Sequence, residues 1–314
     1  MVGYNESADH KVSELWQGIA GISSGIITRV LCQPLDVLKI RFQLQHEPLQ
    51  RCSENYYWGI KHASSRIVKE ESIRALWKGH IPAQVLSGTY GLTQFLSFEV
   101  LTKYVSKSSD RQLNKTGVHF ACGCISGALA TSLTMPFDTV RTRLVGQGEP
   151  KIYKGVFHAF TTMVRTEGFL SFYKGLTPNL IQIIPHTGMQ FALFNLATEI
   201  YSSVIKTDAS GKLPVIGNLV CGSLAGVGAK TAVYPLDLAK KRLQIQGFEV
   251  AREKFGRIRI YTGMIDCIRS TFKEESFLGL YKGLTPSCIK AMATSGLIFA
   301  LYEEISHLFK SLKL

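Results

Sequence analysis

The chain has 314 residues, a mean hydropathy of +0.10 and a formal net charge of +13. Its length could hold two soluble domains, but the long apolar segments described below favour one membrane-embedded domain. The charge alone would suit a nucleic-acid-binding protein, yet 24 of the 36 Lys and Arg lie in segments 39–78, 141–174 and 240–282. This is the positive-inside bias of a membrane protein, so no nucleic-acid partner is expected.

The pattern of apolar residues predicts an all-α membrane protein. Six apolar segments approach the length needed to cross a bilayer, and three shorter amphipathic segments lie between them. In chain order, the predicted helices are Leu15–Gln43, Gly59–Glu70, Ile81–Val105, Val118–Val145, Gly155–Glu167, Leu176–Ile205, Ile216–Gln244, Gly263–Glu274 and Leu284–Phe309. The alternative, a soluble bundle of six buried helices, would require runs of this length to recur in every unit of the repeat described next.

A motif of the form P-x-D-x-x-[KR] occurs three times, beginning at Pro34, Pro136 and Pro235. A G-x-x-x-G pair precedes each proline, and such pairs let helices approach closely in lipid. An aromatic-Lys-Gly triplet follows each amphipathic segment: Trp77-Lys78-Gly79, Tyr173-Lys174-Gly175 and Tyr281-Lys282-Gly283. Constant spacing of these elements predicts three copies of one unit, residues 15–106, 114–206 and 213–312, integrated into one domain.

Three cations, Arg29, Lys230 and Lys290, remain outside the basic segments, the opposite loops and the termini, and these fall within the predicted spans. Ionisable side chains at membrane depth cost about 3 kcal/mol each, so they are rare and usually functional. Arg29 lies two helical turns before Asp36 on the same face, so Arg29 lines a central cavity if Asp36 does. With no acid expected beside them, three converging cations would suit a multiply charged anion such as a diphosphate. Snorkelling or a structural ion pair is the alternative interpretation.

The sequence gives no sign of a metal site, a cofactor or a catalytic centre. Its seven cysteines include no C-x-x-C pair, which argues against zinc and redox sites. We find no H-E-x-x-H, no Walker loop and no G-x-G-x-x-G after a strand, so an enzyme is not expected. The polar segment Met1–Glu14 lacks a secretory apolar region, so no cleaved signal is expected.

The threefold P-x-D-x-x-[KR] motif with its aromatic-Lys-Gly triplets resembles the mitochondrial carrier family over essentially the whole chain. Two departures are Glu71-Ser72 and Glu275-Ser276, where the family pattern has the Glu-Gly pair that Glu167-Gly168 retains. The resemblance implies a six-helix barrel with threefold pseudosymmetry and three short matrix helices. It also implies a monomer of the mitochondrial inner membrane, multi-pass, with both termini in the intermembrane space and with solute exchange as its activity.

Several loop strings resemble the branch of this family that carries thiamine diphosphate. They include Lys39-Ile40-Arg41-Phe42-Gln43-Leu44-Gln45-His46-Glu47, Trp77-Lys78-Gly79-His80-Ile81-Pro82-Ala83-Gln84, Gln147-Gly148-Glu149-Pro150-Lys151 and Gly247-Phe248-Glu249. The expected activity is import of thiamine diphosphate in exchange for nucleotides. The alternatives are a carrier of an adenine nucleotide, a deoxynucleotide or coenzyme A, or, in another class, a proton leak or a membrane enzyme.

Family resemblance also assigns substrate contacts on the second membrane-spanning helix of each unit, at Leu86, Gln182 with Ile183, and Lys290. Aromatic and amide side chains on these helices are able to stack on or hydrogen-bond a heterocyclic ring. They are Tyr90, Gln94, His186 and Gln190. Packing between helices is the alternative interpretation for each of them.

Symmetry pairs each acid of the repeated motif with the base of another copy, forming a matrix gate. The expected pairs are Asp36 with Arg141, Asp138 with Lys240, and Asp237 with Lys39, with Gln43 and Gln244 as braces. On the intermembrane-space side, the family usually has an acid followed three residues later by a base. Here Glu99, Asn195 and Glu303 are followed by Thr102, Thr198 and Ser306, so the second gate is expected to be weak.

Glycines at predicted helix starts form the last group of candidate site residues. Free N–H groups at a helix start attract phosphate, and the family resemblance makes cardiolipin the expected ligand. The candidate glycines are Gly59, Gly79, Gly155, Gly175, Gly263 and Gly283.

Overall fold

The computed structural model describes residues 6–46, 57–108, 115–149, 151–204, 215–248 and 259–311, and this part of the chain contains helices and no strand. The helices are α1 Glu6–Leu44, α2 Ile60–Glu71, α3 His80–Ser108, α4 Lys115–Gly146, α5 Val156–Glu167, α6 Leu176–Ile181, α7 Ile183–Val204, α8 Val215–Gln244, α9 Met264–Gly279 and α10 Leu284–Ser311. The all-α prediction is therefore confirmed. Glu47, Pro150, Ile205 and Glu249, together with the unit boundaries at 114, 206, 213 and 312, lie outside the described residues.

The long helices pack mainly as three pairs, α1 with α10, α3 with α4, and α7 with α8. Further contacts join α1 to α3, α4 to α7, and α8 to α10. The contacts therefore connect the long helices in chain order and join the last to the first. Because α2 and α5 pack against the C-terminal ends of α1 and α4, an apolar core forms at this end of the molecule, around Val37, Leu44, Ile67, Val140 and Met163.

Each proline of the repeated motif lies inside a helix and not at its end. Proline has no backbone N–H, so the carbonyl four residues earlier loses its usual donor. In α1 the carbonyl freed by Pro34 is that of Val30, and the indole Nε1 of Trp77 donates to it at 3.0 Å. The aromatic residue of the first triplet thus satisfies a backbone acceptor that the motif proline exposes.

The helix predicted from Leu176 onward is divided in the structure, which corrects the prediction. Helix α6 ends at Ile181, Gln182 forms a turn, and α7 begins at Ile183. The reason is Pro185, which cannot donate a hydrogen bond to the Ile181 carbonyl. The equivalent positions of the other two units are Thr89 and Ala293, and α3 and α10 continue through them.

Within the described residues, two helices satisfy the length and hydropathy of a membrane span on their own, at Gly117–Gly146 and Leu284–Ser306. Over the same part of the chain, the long helices α1, α3, α7 and α8 do not meet this test. Their outward faces are nevertheless apolar. Exposed examples are Ile22 and Leu31 on α1, Phe95 and Val100 on α3, Phe191 and Ile200 on α7, and Leu224 on α8.

The turn after each short helix requires a backbone conformation that favours glycine. Ser72, Gly168 and Ser276 follow the glutamates of the three units with φ of 104°, 80° and 67° and with ψ near 180°. A non-glycine residue in this region costs on the order of 1–3 kcal/mol. The serines that depart from the family pattern therefore place backbone strain in the first and third units.

We expect Ser72→Gly and Ser276→Gly each to raise the free energy of unfolding in detergent by about 1 kcal/mol, because glycine relieves the positive φ. Gly168→Ser is the reciprocal variant. A Cβ at Gly168 would meet nothing within 4 Å, so its cost would come from the backbone alone. Thermal unfolding of the purified variants measures both effects, and a serine at 168 that leaves the midpoint unchanged would contradict the strain argument.

Candidate binding cavity and ion-pair ring

Three ion pairs join the C-terminal halves of α1, α4 and α8 in a cycle, which we call the ion-pair ring. Asp36 pairs with Arg141 at 2.6 Å, Asp138 with Lys240 at 2.8 Å, and Asp237 with Lys39 at 2.6 Å. Within each motif the acid and the base are three residues apart and share a helix face. Each helix therefore offers an acid to one neighbour and a base to the other. The three predicted contacts are present.

The two glutamines predicted as braces also contact the ring. Gln43 Nε2 donates to Asp237 Oδ2 at 3.1 Å, and Gln244 Nε2 donates to Asp138 Oδ2 at 2.8 Å. The equivalent residue in the second unit is Val145, which has no polar side-chain atom. The ring is therefore braced at two of its three pairs.

Two further lysines bind ring acids, and the sequence analysis anticipated neither contact. Lys290 Nζ donates to both carboxylate oxygens of Asp36, at 2.7 and 2.8 Å. Lys241 Nζ donates to Asp138 Oδ1 at 2.9 Å. The expectation that Lys290 has no acid beside it is therefore wrong, because the pairing of α10 with α1 brings its long side chain within reach of Asp36.

The other two cations of the predicted substrate site differ from Lys290 in their contacts. Arg29 donates to the carbonyl of Ala83 at 2.8 Å and to the hydroxyl of Ser87, which ties α1 to α3. Lys230 has no side-chain hydrogen bond or ion pair in the part of the chain that the structure describes, although the charges of Asp237 and Lys39 act on it. Of the three cations, Lys230 is thus the one whose ammonium group is available to an incoming anion.

A cavity of about 290 Å³ is bounded on one side by the Asp138–Lys240 pair of the ring. It brings together the predicted residues Tyr90, Gln182 and Ile183, whereas Gln94 is not among its lining residues. Apart from the ring pair its walls carry no charge in the described residues. The full lining is Leu86, Tyr90, Thr131, Thr134, Met135, Asp138, Asn179, Gln182, Ile183, His186, Thr187 and Lys240.

The residues predicted for the opposite gate are not brought together in the described residues. Asn195 and Glu303 are exposed, with no hydrogen bond or ion pair to each other or to Glu99. Glu99 instead pairs with Lys103 of its own helix at 2.5 Å, on an exposed surface. An exposed pair within one helix contributes little free energy, so it does not link one unit to another.

A family model described as "Mitochondrial carrier protein" matches residues 11–109, 113–204 and 211–313. The chain belongs to the mitochondrial carrier family. The mitochondrial thiamine pyrophosphate carrier of Bos taurus is 48% identical over 315 residues, covering 100% of this chain and 99% of its own. The Homo sapiens protein of the same name is 47% identical, with 98% and 97% covered, and thiamine pyrophosphate carrier 1 of Neurospora crassa is 34% identical, with 98% and 96% covered. This protein is therefore a transporter and not an enzyme.

Below the ring, this mitochondrial carrier has three buried charge clusters that the sequence analysis missed. In the first, Glu71 accepts hydrogen bonds from Arg41 at 2.5 and 2.8 Å and from Lys78 at 2.5 Å. The sequence signal was present, because an arginine stands seven residues after each motif proline. The equivalent clusters are Arg143–Glu167–Lys174 and Arg242–Glu275–Lys282.

Each cluster arginine also reaches into the following unit of the cycle. Its Nε donates to a backbone carbonyl near the C-terminal end of the next motif helix. Arg41 binds the Val145 carbonyl at 3.2 Å, Arg143 binds that of Gln244 at 3.1 Å, and Arg242 binds that of Gln43 at 3.0 Å. The last carbonyls of a helix have no partner within it, so these contacts cap one unit with a side chain of another.

The six candidate glycines divide into two structural groups. Gly79, Gly175 and Gly283 have φ between 73° and 85°, and a Cβ at Gly175 would lie 2.8 Å from the Lys240 carbonyl oxygen. These three are required for close approach to the neighbouring motif helix. Gly59, Gly155 and Gly263 have extended backbones, and a Cβ there would meet nothing within 4 Å.

Burial tends to raise the pKa of the Glu275 carboxyl, but hydrogen bonds from His46 and Arg242 and the charge of Lys282 outweigh it and hold the pKa at about 2. A carboxyl whose pKa is depressed in the folded state contributes stability above its unfolded pKa, here 4.5. This contribution is lost as the pH falls from there toward 2.

We therefore expect the thermal midpoint of the purified carrier to fall as the pH is lowered from about 5 to about 3. Glu275→Gln should be less stable at neutral pH and should depend less on pH in this range. Glu274→Gln is the matched control, because Glu274 is exposed and its pair with Arg259 lies on the surface. Equal pH profiles for Glu275→Gln and the wild type would show that the cluster does not carry this stability.

Proposed function

We propose that this carrier imports thiamine diphosphate into mitochondria, in exchange for nucleotides, by alternating access. The relatives named as thiamine pyrophosphate carriers match over nearly the whole chain at 47–48% identity. The observation that carries the proposal is the cation group around Asp36 and Lys230, because a diphosphate offers the complementary charge. Such a substrate has two kinds of contact available, with the cations Lys230 and Lys290 and with the uncharged side chains of the cavity.

A six-helix barrel spanning the inner membrane is the architecture that best accommodates these observations. Each of the six spans, α1, α3, α4, α6 with α7, α8 and α10, has exposed apolar side chains, and water-exposed apolar faces of this extent are typical of membrane or protein contact. The short helices α2, α5 and α9 then lie on the matrix side with the basic segments. The units 15–106, 114–206 and 213–312 form one integrated domain in this arrangement.

The cations are suited to a diphosphate in different ways. Lys230 acts as a point charge with no acid in direct contact, whereas Lys290 must leave Asp36 to bind a phosphate oxygen. Arg29 offers a planar fork that matches phosphate geometry, but its donors are engaged with Ala83 and Ser87. Substrate therefore binds Lys230 first, and recruits Lys290 and Arg29 as it moves deeper.

Recruitment of Lys290 gives alternating access a physical cause. Phosphate competes with Asp36 for the ammonium group, so Asp36 loses one of its two cations. Arg141 is then the cation that still pairs with Asp36 in the ring. A substrate that binds the opened state more tightly shifts the equilibrium toward it. The ring of Asp36, Arg141, Asp138, Lys240, Asp237 and Lys39 is the matrix gate in this mechanism.

The opposite gate, formed by Glu99, Asn195 and Glu303, has no base three residues after each position. It would close on weaker polar contacts than the ion-pair ring does. A carrier without substrate would then favour the state closed on the matrix side, in which the ring is formed.

Cardiolipin is the lipid partner that the helix starts favour, and the carrier works as a monomer. A basic cavity of about 470 Å³ surrounds Gly79 and Gly155 and includes Arg74, Lys78 and Lys151. A second, of about 490 Å³, surrounds Gly175 and Gly263. Because Gly59, Gly155 and Gly263 leave open space around their Cα atoms, a headgroup phosphate can approach the N–H groups that follow them.

Uptake of labelled thiamine diphosphate into liposomes containing the purified protein and preloaded with ATP tests the proposal. We expect Lys230→Ala and Lys290→Ala each to reduce uptake about tenfold, the loss of one hydrogen bond to a charged group. Lys230→Ala should act mainly through KM, because it removes an anion contact without touching the ring. Unphosphorylated thiamine should compete hardly at all.

The matched control is Lys61→Ala, which removes an exposed lysine of α2 and should leave uptake unchanged. Labelled ADP, deoxynucleotides and coenzyme A are assayed in the same liposomes. Faster uptake of one of these than of thiamine diphosphate would assign the carrier to another phosphate-bearing substrate. Transport of free thiamine at the rate of its diphosphate, with both lysine variants fully active, would make the cations structural.

Charge reversal tests the gate. We expect Asp36→Asn to abolish transport, and the exchange Lys39→Asp with Asp237→Lys to restore part of the activity that either single change removes. The exchange Asp36→Arg with Arg141→Asp should restore less, because the new arginine faces Lys290. The same liposome assay measures how much uptake each of the two charge exchanges restores. Full activity of Asp36→Asn would contradict the assignment of the ring as the gate.

A further inference from the structure

We propose that Asn179 is a positioning residue that couples the uncharged cavity to one pair of the ion-pair ring. Gln182 Nε2 donates to Asn179 Oδ1 at 2.7 Å, and Lys240 Nζ donates to the same oxygen at 3.0 Å. Lys240 in turn pairs with Asp138 at 2.8 Å. A chain of contacts, the amide relay, therefore runs from Gln182 through Asn179 to the Lys240–Asp138 pair. This proposal deepens the proposed function and rests on it.

The backbone places Asn179 within reach of Lys240. Gly175 begins α6 with φ of 83°, and its Cα lies so close to the Lys240 carbonyl that a Cβ would be 2.8 Å from the oxygen. Asn179 stands one helical turn later on the same face. Its amide Nδ2 donates to Met135 Sδ at 3.6 Å, which directs Oδ1 toward the two donors.

The helix break places Gln182 at the other end of the relay. Because Pro185 interrupts the helix, α6 is a short segment that ends one residue before Gln182. Both Gln182 and Asn179 line the cavity of about 290 Å³, together with uncharged side chains such as Tyr90 and Thr134. A heterocyclic group that enters this cavity can accept the hydrogen bond that Gln182 gives to Asn179.

Loss of the hydrogen bond from Gln182 to Asn179 changes how strongly the two acceptors, Asn179 and Asp138, attract the Lys240 ammonium group. Asn179 Oδ1 then accepts from Lys240 alone, so the ammonium group is drawn toward α6 and away from Asp138. Asp138 keeps Lys241 and Gln244 as partners, at 2.9 and 2.8 Å. A buried carboxylate that retains two partners does not bear the cost of an unpaired charge, so the pair can separate when the cavity is occupied.

The repeat shows that the relay is specific to one unit. Positions equivalent to Asn179 hold Ala83 and Ser287, and positions equivalent to Gln182 hold Leu86 and Lys290. Lys290 contacts a ring acid directly, whereas Leu86 has no polar atom. The phosphate end of a substrate thus acts on Asp36 through Lys290. Its heterocyclic end acts on Asp138 through the amide relay.

The experiment is a double-mutant cycle in liposome uptake with Asn179→Ala and Gln182→Leu. Each change should lower the maximal rate about fivefold, the loss of roughly one hydrogen bond. KM should change by less than about twofold in Asn179→Ala, whereas Gln182→Leu should also raise KM because it removes a contact to the substrate. The double variant should be no slower than either single one, because both cut the same relay. Ser287→Ala is the matched control at the equivalent position, where the buried hydroxyl has no hydrogen-bond partner in the described residues, and its rate should be unchanged.

A second cycle needs no transported solute. Thermal midpoints of Gln182→Leu, Lys240→Met and their combination should be non-additive when Asn179 is present and additive in Asn179→Ala. Additive midpoints with Asn179 present, or rate losses that multiply in the double variant, would overturn the relay. Absence of thiamine diphosphate uptake by the wild type, with the thermal cycle still non-additive, would overturn the proposed function and leave the relay standing.

Discussion

The structure depends on the burial of three arginines, Arg41, Arg143 and Arg242, whose exposed fractions do not exceed 4%. A buried charge is tolerated when it is paired and hydrogen-bonded on all sides, and removal of one partner is strongly destabilising. Each arginine has a glutamate from its own unit and a backbone carbonyl from the next one. The Nε donor of each arginine is satisfied by a carbonyl of the next unit, which favours association of the three units in a cycle. The positions of the ring and the cavity above the clusters follow from that closure.

The ion pairs of the ring and those of the three arginine clusters differ in how readily they can separate. The lower clusters use bidentate arginine–glutamate contacts, with the arginine side chains 0–2% exposed. The ring above them uses single contacts between side chains that are 8–16% exposed. Water and substrate phosphate can therefore reach the ring more easily than the clusters. A scaffold that holds while its ring opens is what a carrier of alternating access requires.

Departures from threefold symmetry make the three units contribute side chains of different chemistry. The cations Arg29, Lys230 and Lys290 come from the first and third units, while the second unit contributes Thr131, Asn179 and Gln182. The three cations lie outside the lining of the cavity of about 290 Å³, whose walls are uncharged and polar apart from the Asp138–Lys240 pair. The second unit also differs in its backbone, because its helix is divided at Gln182 whereas α3 and α10 are continuous.

The sequence alone determined the repeat, the all-α class and the acid–base pairs of the ring, because regular spacing and helical periodicity are local properties of the chain. It also indicated the braces Gln43 and Gln244. Tertiary structure decided the rest. Lys290 binds Asp36 across 254 residues, Lys241 joins Asp138, and Asn179 links Gln182 to Lys240. None of these contacts follows from the repeat, because each uses a residue that the other units lack. The break at Gln182 likewise comes from Pro185, which only one unit has. The spacing of the repeated residues predicts the symmetric contacts, whereas the asymmetric contacts arise only when helices distant in sequence pack together.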